Sequence, residues 1–420
     1  MINYLSWLLT FPNSFLDFKS LSRYNPFVKN RKSYLILLLG FLLPTQFGKH
    51  FFLSFSYLSG VRIDYLAPTI YVLDLVVVGL YLAYLNDYKR LLKNVWIQAF
   101  LLATAVGLFF AFSKEVALYR YIKTIELLVV FASLQQYKKN PLIFLYGLLA
   151  STVLQFFIAM SQFVQKASLD GIFYFLGERH LSLSTPGIAK TALDGIEFLR
   201  AYGTFSHPNS MAGFYLLLTA FLLFQSKKIL PSAVHATFLL LNSLLIILSF
   251  SKVAIFGLLL LTIKYFVIHW KDYKNCIPCV ISRLLAILIP LGIIASSVGD
   301  PLSGQKRVEL MQNALNIISL HPFTGVGLGN YVIAQESLYP SFSGLIGQPV
   351  HNIFLLLTSE FGVLITSALI VATLSYLKKN KRNYQVTAVF FVLFLTGMFD
   401  HYWITLEQNW LLVASLVALL

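Results

Sequence analysis

Residues 199–218 read LRAYGTFSHPNSMAGFYLLL. A cation, Arg200, and a turn-rich run through Gly203, His207, Pro208 and Asn209 lead directly into an apolar segment. That segment is one of many. Apolar runs of about 20 residues, enough to cross a hydrocarbon core as a helix, recur along the chain. Only 12% of the 420 residues are charged and 58% are hydrophobic, with a mean hydropathy of +0.74. A soluble domain carries about twice that charge, because its surface faces water. The expected fold is therefore all-α, a polytopic membrane protein.

The formal net charge of +15 would suit a nucleic-acid partner, but the basic residues cluster between apolar runs, as the positive-inside rule describes. No nucleic acid is expected. Spans are expected near 33–52, 65–85, 95–112, 117–136, 141–163, 208–226, 231–249, 253–270, 280–298, 352–376, 386–400 and 403–420. About twelve crossings place the N- and C-termini in the cytoplasm. Arg23, Lys29, Arg31 and Lys32 then lie inside, with Lys89/Arg90/Lys93, Lys138/Lys139, Lys227/Lys228, Lys271/Lys274/Arg283 and Lys378/Lys379/Lys381/Arg382. The opening MINYLSWLLTFPNSFLDF lacks a basic n-region and a cleavage site, and reads as an interfacial amphipathic segment. Cys276-Ile-Pro-Cys279 lacks a second pair, so the cysteines read as incidental residues at a helix entrance.

Two longer polar segments, 164–207 and 299–351, fall outside by the same count. The chain reads as one membrane domain, 1–420, with two functional loops. In the first, Asp194-Gly195 between apolar-rich runs signals a β-hairpin, and Ile196, Phe198, Arg200 and Tyr202 would share one face of its second strand. In the second, Val308, Met311, Leu315 and Ile318 follow helical spacing, so a short surface helix is expected, ending at Pro322.

The chemistry is sought at the outward ends. Arg200, Arg307 and Lys252 are three cations that could hold an anion, and arginine suits phosphate because its planar fork binds two oxygens. The alternative is that each snorkels to headgroups. HPFTGVGLGNY, 321–331, has GxGxG spacing and no strand-helix unit around it, so its glycines are read as turn formers. His351-Asn352 opens an apolar run; imidazole, which titrates near neutrality, is the best general base on offer. His207 and His351 lack a third ligand at matching spacing, so no metal is expected. His401, after Asp400, reads as a supporting residue.

RAYGTFSHPNSMA, SFSKVAIFGLLL, RVELMQNALNIISLHPFTGVGLGNY and HNIFLLLTSEFGVL, in this order, resemble the O-antigen ligase and O-antigen polymerase (Wzy-type) membrane superfamily. The specific part runs from about residue 187 to 405. The resemblance implies a metal-independent, cofactor-free, inverting glycosyltransferase at the outer face of the cytoplasmic membrane. Its donor would be a glycan on a polyprenyl diphosphate and its acceptor a hydroxyl on a glycan, lipid or protein. Carried over by position, Arg200 and Arg307 match arginines that hold the donor diphosphate, and His351 matches the histidine that activates the acceptor. Lys252, His207, Asn209, Asn352 and His401 would line the substrate. Lys252 departs from the arginine of many relatives; lysine keeps the charge but not the fork. A polysaccharide polymerase using the same donor is the nearest alternative. A lipid or solute transporter is the alternative from another class, disfavoured because the polar residues gather in loops and not at the midplane.

Overall fold

The computed structural model describes residues 31–193, 195–225, 229–296, 301–338 and 347–420. The expected N-terminal interfacial segment, Arg23, Lys29, Asp194, Lys227, Lys228 and part of the second loop lie outside these residues. The chain opens with α1 (Arg31–Leu42) and two small antiparallel pairs: β1 (Gly48–His50) with β4 (Thr69–Tyr71), and β2 (Tyr57–Leu58) with β3 (Val61–Arg62). Helices α2 (Val72–Ala83), α3 (Leu85–Leu91), α4 (Val95–Gly107), α5 (Lys114–Gln135), α6 (Leu142–Gln165) and α7 (Ile172–Phe175) follow. A hairpin, β5 (Lys190–Leu193) with β6 (Ile196–Leu199), leads to α8 (Pro208–Leu223), α9 (Ser232–Leu248), α10 (Lys252–Ile268), α11 (Trp270–Tyr273) and α12 (Ile277–Ser296). Last come α13 (Pro301–Leu320), α14 (Tyr331–Leu338), α15 (Ile353–Lys379), α16 (Tyr384–Gly397), α17 (Tyr402–Thr405) and α18 (Glu407–Leu419).

The protein is thus mostly helical, and α6 and α15 are long and apolar enough to cross a membrane. Shorter apolar helices occupy 72–83, 95–107, 208–223, 232–248, 280–293 and 384–397. The opening stretch supplies the centre. Pro208 stands at the first position of α8, where its missing N–H costs nothing, and nearly every side chain of this helix is buried. A helix apolar all round belongs inside a bundle. Ser210 donates to Asn409 Oδ1 at 2.6 Å, and the Asn409 amide returns a bond to Ser210 O at 3.0 Å, which ties α8 to α18. Helices α1 and α6 cross where Gly40 meets Gly147. A Cβ on either would strike the other helix's backbone at Phe144 O or Leu37 O, so only small residues permit the approach.

Three expectations are corrected. The first two spans are shorter than read, because residues 46–71 form β-pairs and 3-10 turns in place of helix ends. The surface helix is longer, 20 residues, and its buried stripe is Leu310, Asn313, Ala314 and Ile317. Val308, Met311 and Leu315, the stripe expected on the membrane surface, are exposed on the other side, so both faces are apolar. The shared strand face also ends early. Leu199, Ala201 and Tyr202 are all buried, so strict alternation stops where β6 gives way to the run into α8. The hairpin itself has the expected two-residue connection, Leu193 paired with Ile196 and Gly195 at φ +79°. Cys276 stands immediately before α12 and is disulfide-bonded.

Loop 321–329 inserts into a break in α15. Gly362 has φ +78°, and the loop satisfies the backbone groups freed there. Val326 N donates to Ser359 O (2.9 Å), Gly327 N to Glu360 O (3.1 Å) and Val363 N to Pro322 O (2.7 Å). Gly325, Gly327 and Gly329 all have positive φ. These glycines shape turns, as their spacing suggested.

Candidate active site

Four segments converge at one end of the bundle: the run 200–209 entering α8, the 249–252 turn before α10, the start of α15, and the 398–405 connection after α16. The Arg200 N–H extends the hairpin ladder to Ala189 O at 3.2 Å. Its guanidinium is oriented by two neutral acceptors: Nε donates to Ser249 O at 2.7 Å and Nη2 to Asn209 Oδ1 at 2.6 Å. Three of its five N–H groups stay unspent, and no carboxylate pairs with it among the described residues. Burial lowers its pKa to about 10, and Arg307 adds to the lowering against Tyr202 and Asp400. It remains cationic at neutral pH.

Asn209 is committed at both ends of its amide. While Oδ1 accepts from Arg200, Nδ2 donates to Asp400 Oδ2 at 3.0 Å. Asp400 Oδ1 accepts the His401 backbone N–H at 2.8 Å and lies 3.6 Å from His351 Nδ1. That last separation exceeds a hydrogen bond, so the carboxylate acts on His351 through its charge. His351 Nδ1 is buried with no hydrogen-bond partner. Burial alone would raise the Asp400 pKa. Contact with His351 and the charges of His401, His351 and His207 outweigh it and hold the carboxyl well below the usual range. His401 moves the other way: burial lowers it to about 3, with Asp400 opposing and the other cations reinforcing. Near neutrality Asp400 is therefore an anion beside a neutral His401, whose ring centroid lies 5.0 Å from that of His351.

The remaining candidates fall around this chain of contacts. His207 caps α8, Nδ1 accepting from Asn209 N at 3.1 Å. In the neutral ring its proton then sits on Nε2, which leaves no acceptor nitrogen free. Asn352 caps α15, accepting from Phe354 N and Leu355 N, and reaches Met398 O at 3.3 Å. Arg307, on α13, has neither hydrogen bond nor ion pair among the described residues, and its charge acts on Arg200 and His401. Lys252 is exposed at the start of α10, three residues after the carbonyl that orients Arg200.

Several residues here lie outside the motifs of the sequence. Asp400 links the two halves of the site. Arg179 donates to Ser206 O at 3.1 Å and faces Asp64 at 3.5 Å, on the rim beside His207. Tyr65 sets its ring edge-on to His401, centroids 5.5 Å apart. Arg120, Lys123 and Glu126 stood as charges inside an expected span, which is itself a signal. Lys123 binds Asp74 (2.7 Å), Glu407 (3.0 Å) and Glu126 (3.1 Å). Ligand atoms of His351, Asp400 and His401 lie within 4.8 Å of one another, as do those of Asp74, Glu126 and Glu407. A divalent ion in the first group would sit in the repulsive field of Arg200 and Arg307.

Residues 209–370 match the family model described as O-antigen ligase. Over these residues, fewer than half of the chain, it is similar to the O-antigen ligase family. The matched stretch contains Asn209, Lys252, Arg307, His351 and Asn352, whereas Arg200, His207, Asp400 and His401 join the candidate site from outside it. Comparison with curated proteins and with solved structures gives no match.

Proposed function

We propose that the protein is a membrane glycosyltransferase of the O-antigen ligase type. It moves a glycan from a polyprenyl-diphosphate carrier to an acceptor hydroxyl, with inversion and without a metal. One observation carries this reading: the contacts Arg200–Asn209–Asp400–His351 join an anion-holding cation to an imidazole–carboxylate pair. The acceptor oxygen attacks the anomeric carbon as the bond to diphosphate breaks. The leaving polyprenyl diphosphate keeps the electron pair, and Arg200 and Arg307 stabilise its charge. The hydroxyl proton passes to His351 Nε2, since Nδ1 faces Asp400, and the carboxylate stabilises the imidazolium that forms. A single displacement inverts configuration. The basic clusters lie between spans on the other side, which supports an active site facing outward from the cytoplasmic membrane.

The test is transfer by purified protein from a polyprenyl-diphosphate glycan to a hydroxyl acceptor, with chelator present. Arg200→Lys and Arg307→Lys should each cut turnover at least about tenfold, because lysine cannot form the bidentate fork. A membrane-impermeant acceptor supplied outside intact cells should also be glycosylated. Near-normal turnover in both lysine variants would return these residues to headgroup snorkelling, and a strict divalent-ion requirement would contradict the metal-free route.

A further inference from the structure

Arg120 lies on α5, in a part of the chain that reads as membrane core. It makes no ion pair among the described residues, although it lines the same cavity as Glu360. Its terminal nitrogens go instead to two backbone carbonyls: Nη1 to Thr405 O at 3.3 Å and Nη2 to Tyr65 O at 3.1 Å. The two residues so held are far apart in sequence, yet both touch one ring. Tyr65 packs edge-on against His401, and the Thr405 hydroxyl contacts His401 Nδ1 at 2.8 Å. His401 in turn donates its backbone N–H to Asp400 and lies against His351. One helical turn further along α5, Lys123 pairs with Glu407, two residues beyond Thr405. Helix α5 thus grips the segment 405–407 at two successive turns.

We propose that Arg120 is a positioning residue for the transfer reaction: from inside the bundle its guanidinium fixes the two segments that hold the His401 ring, and through it the Asp400–His351 pair. The inference rests on the transfer reading above. A single fork suits the task because its nitrogens lie in one plane and reach two acceptors at once; an ammonium is a point donor on a flexible stem. A misplacement of about 1 Å remote from the chemistry can cost on the order of 100-fold in rate. The effect should therefore appear in turnover and not in binding.

The experiment compares Arg120→Lys, His401→Ala and the double variant in steady-state transfer from a polyprenyl-diphosphate glycan, the wild type being measured first. Arg120→Lys should lower kcat by about 10–100-fold with the donor KM within about twofold of wild type. In the His401→Ala background the same change should cost little more, because the two act through one element. Unchanged kcat, a raised donor KM at constant kcat, or fully multiplicative losses would each overturn the positioning role. No transfer by the wild type would instead overturn the transfer reading itself. Should Arg120→Lys fail to accumulate, Thr405→Val keeps the carbonyl that Arg120 binds and removes the hydroxyl on His401. It should show the same kcat loss, and a wild-type kcat there overturns the proposal.

Discussion

Asp400 and His401 are neighbours with opposite electrostatic fates, and the pair sets how the site responds to acid. Asp400 is held ionised far below the range of an exposed carboxyl, so its stabilising charge is present above about pH 4 and is lost only at extreme acidity. His401, lowered to about 3, stays neutral in the folded protein, whereas an unfolded histidine protonates below about pH 6.5. Its contribution to stability is complete above that value and declines as pH falls towards 3. Replacing Asp400 with Asn removes the anion that would stabilise the imidazolium formed in the proposed transfer step. Turnover of Asp400→Asn should fall at least about tenfold while donor binding stays near wild type. Wild-type turnover in that variant would show that Asp400 does not act on the base. Arg200 and His351 could be singled out as candidates in the sequence, because residue type and motif order mark them. Asp400 could not, since its bond to Asn209 spans 191 positions.

Among the elements, apolar runs located the helices well but not their ends. FFLSFSYL, 51–58, is apolar enough to continue a span, yet it forms the turns and short strands that bring Tyr65 to His401. What separates the two outcomes is pairing with residues 61–71, which no local pattern contains. The protein-facing stripe of α13 escaped notice for a related reason: a helix bordered by lipid on one side and protein on the other is apolar on both, and periodicity picks out only one of them. The break in α15 was foreshadowed only by glycines. A Cβ at Gly362 would collide with Phe323 O and lie 3.0 Å from Pro322 O, and φ +78° strains any L-residue. Gly362→Ala should destabilise the solubilised protein by about 1–3 kcal/mol, read as a lower Tm, and should weaken transfer because the loop carries the chain from α13 to α14. An unchanged Tm would mean that the break tolerates a side chain and that the docked loop is not what holds it open.

For the whole molecule, composition pointed to a membrane-embedded helical protein, and the structure is mostly helical with two helices long and apolar enough to cross; the alternation of basic clusters gave the expected sidedness. Composition is silent on the polar interior. Lys123 with three carboxylates, and Arg120 one turn away, are costly in hydrocarbon, and their partners become known only when α2, α5 and α18 meet. The same assembly brings Arg200, the charge of Arg307 and the imidazole before α15 to one end of the bundle, where the proposed lipid-linked donor would arrive laterally. The central claim is that His351 takes the acceptor's proton. It is tested most directly by single-turnover transfer and donor binding measured on the same purified His351→Ala protein. Turnover should fall by about 10²–10⁴ while donor affinity stays near wild type, because Arg200 and Arg307 are intact. Wild-type turnover in that variant, or loss of donor binding in step with loss of transfer, would contradict it.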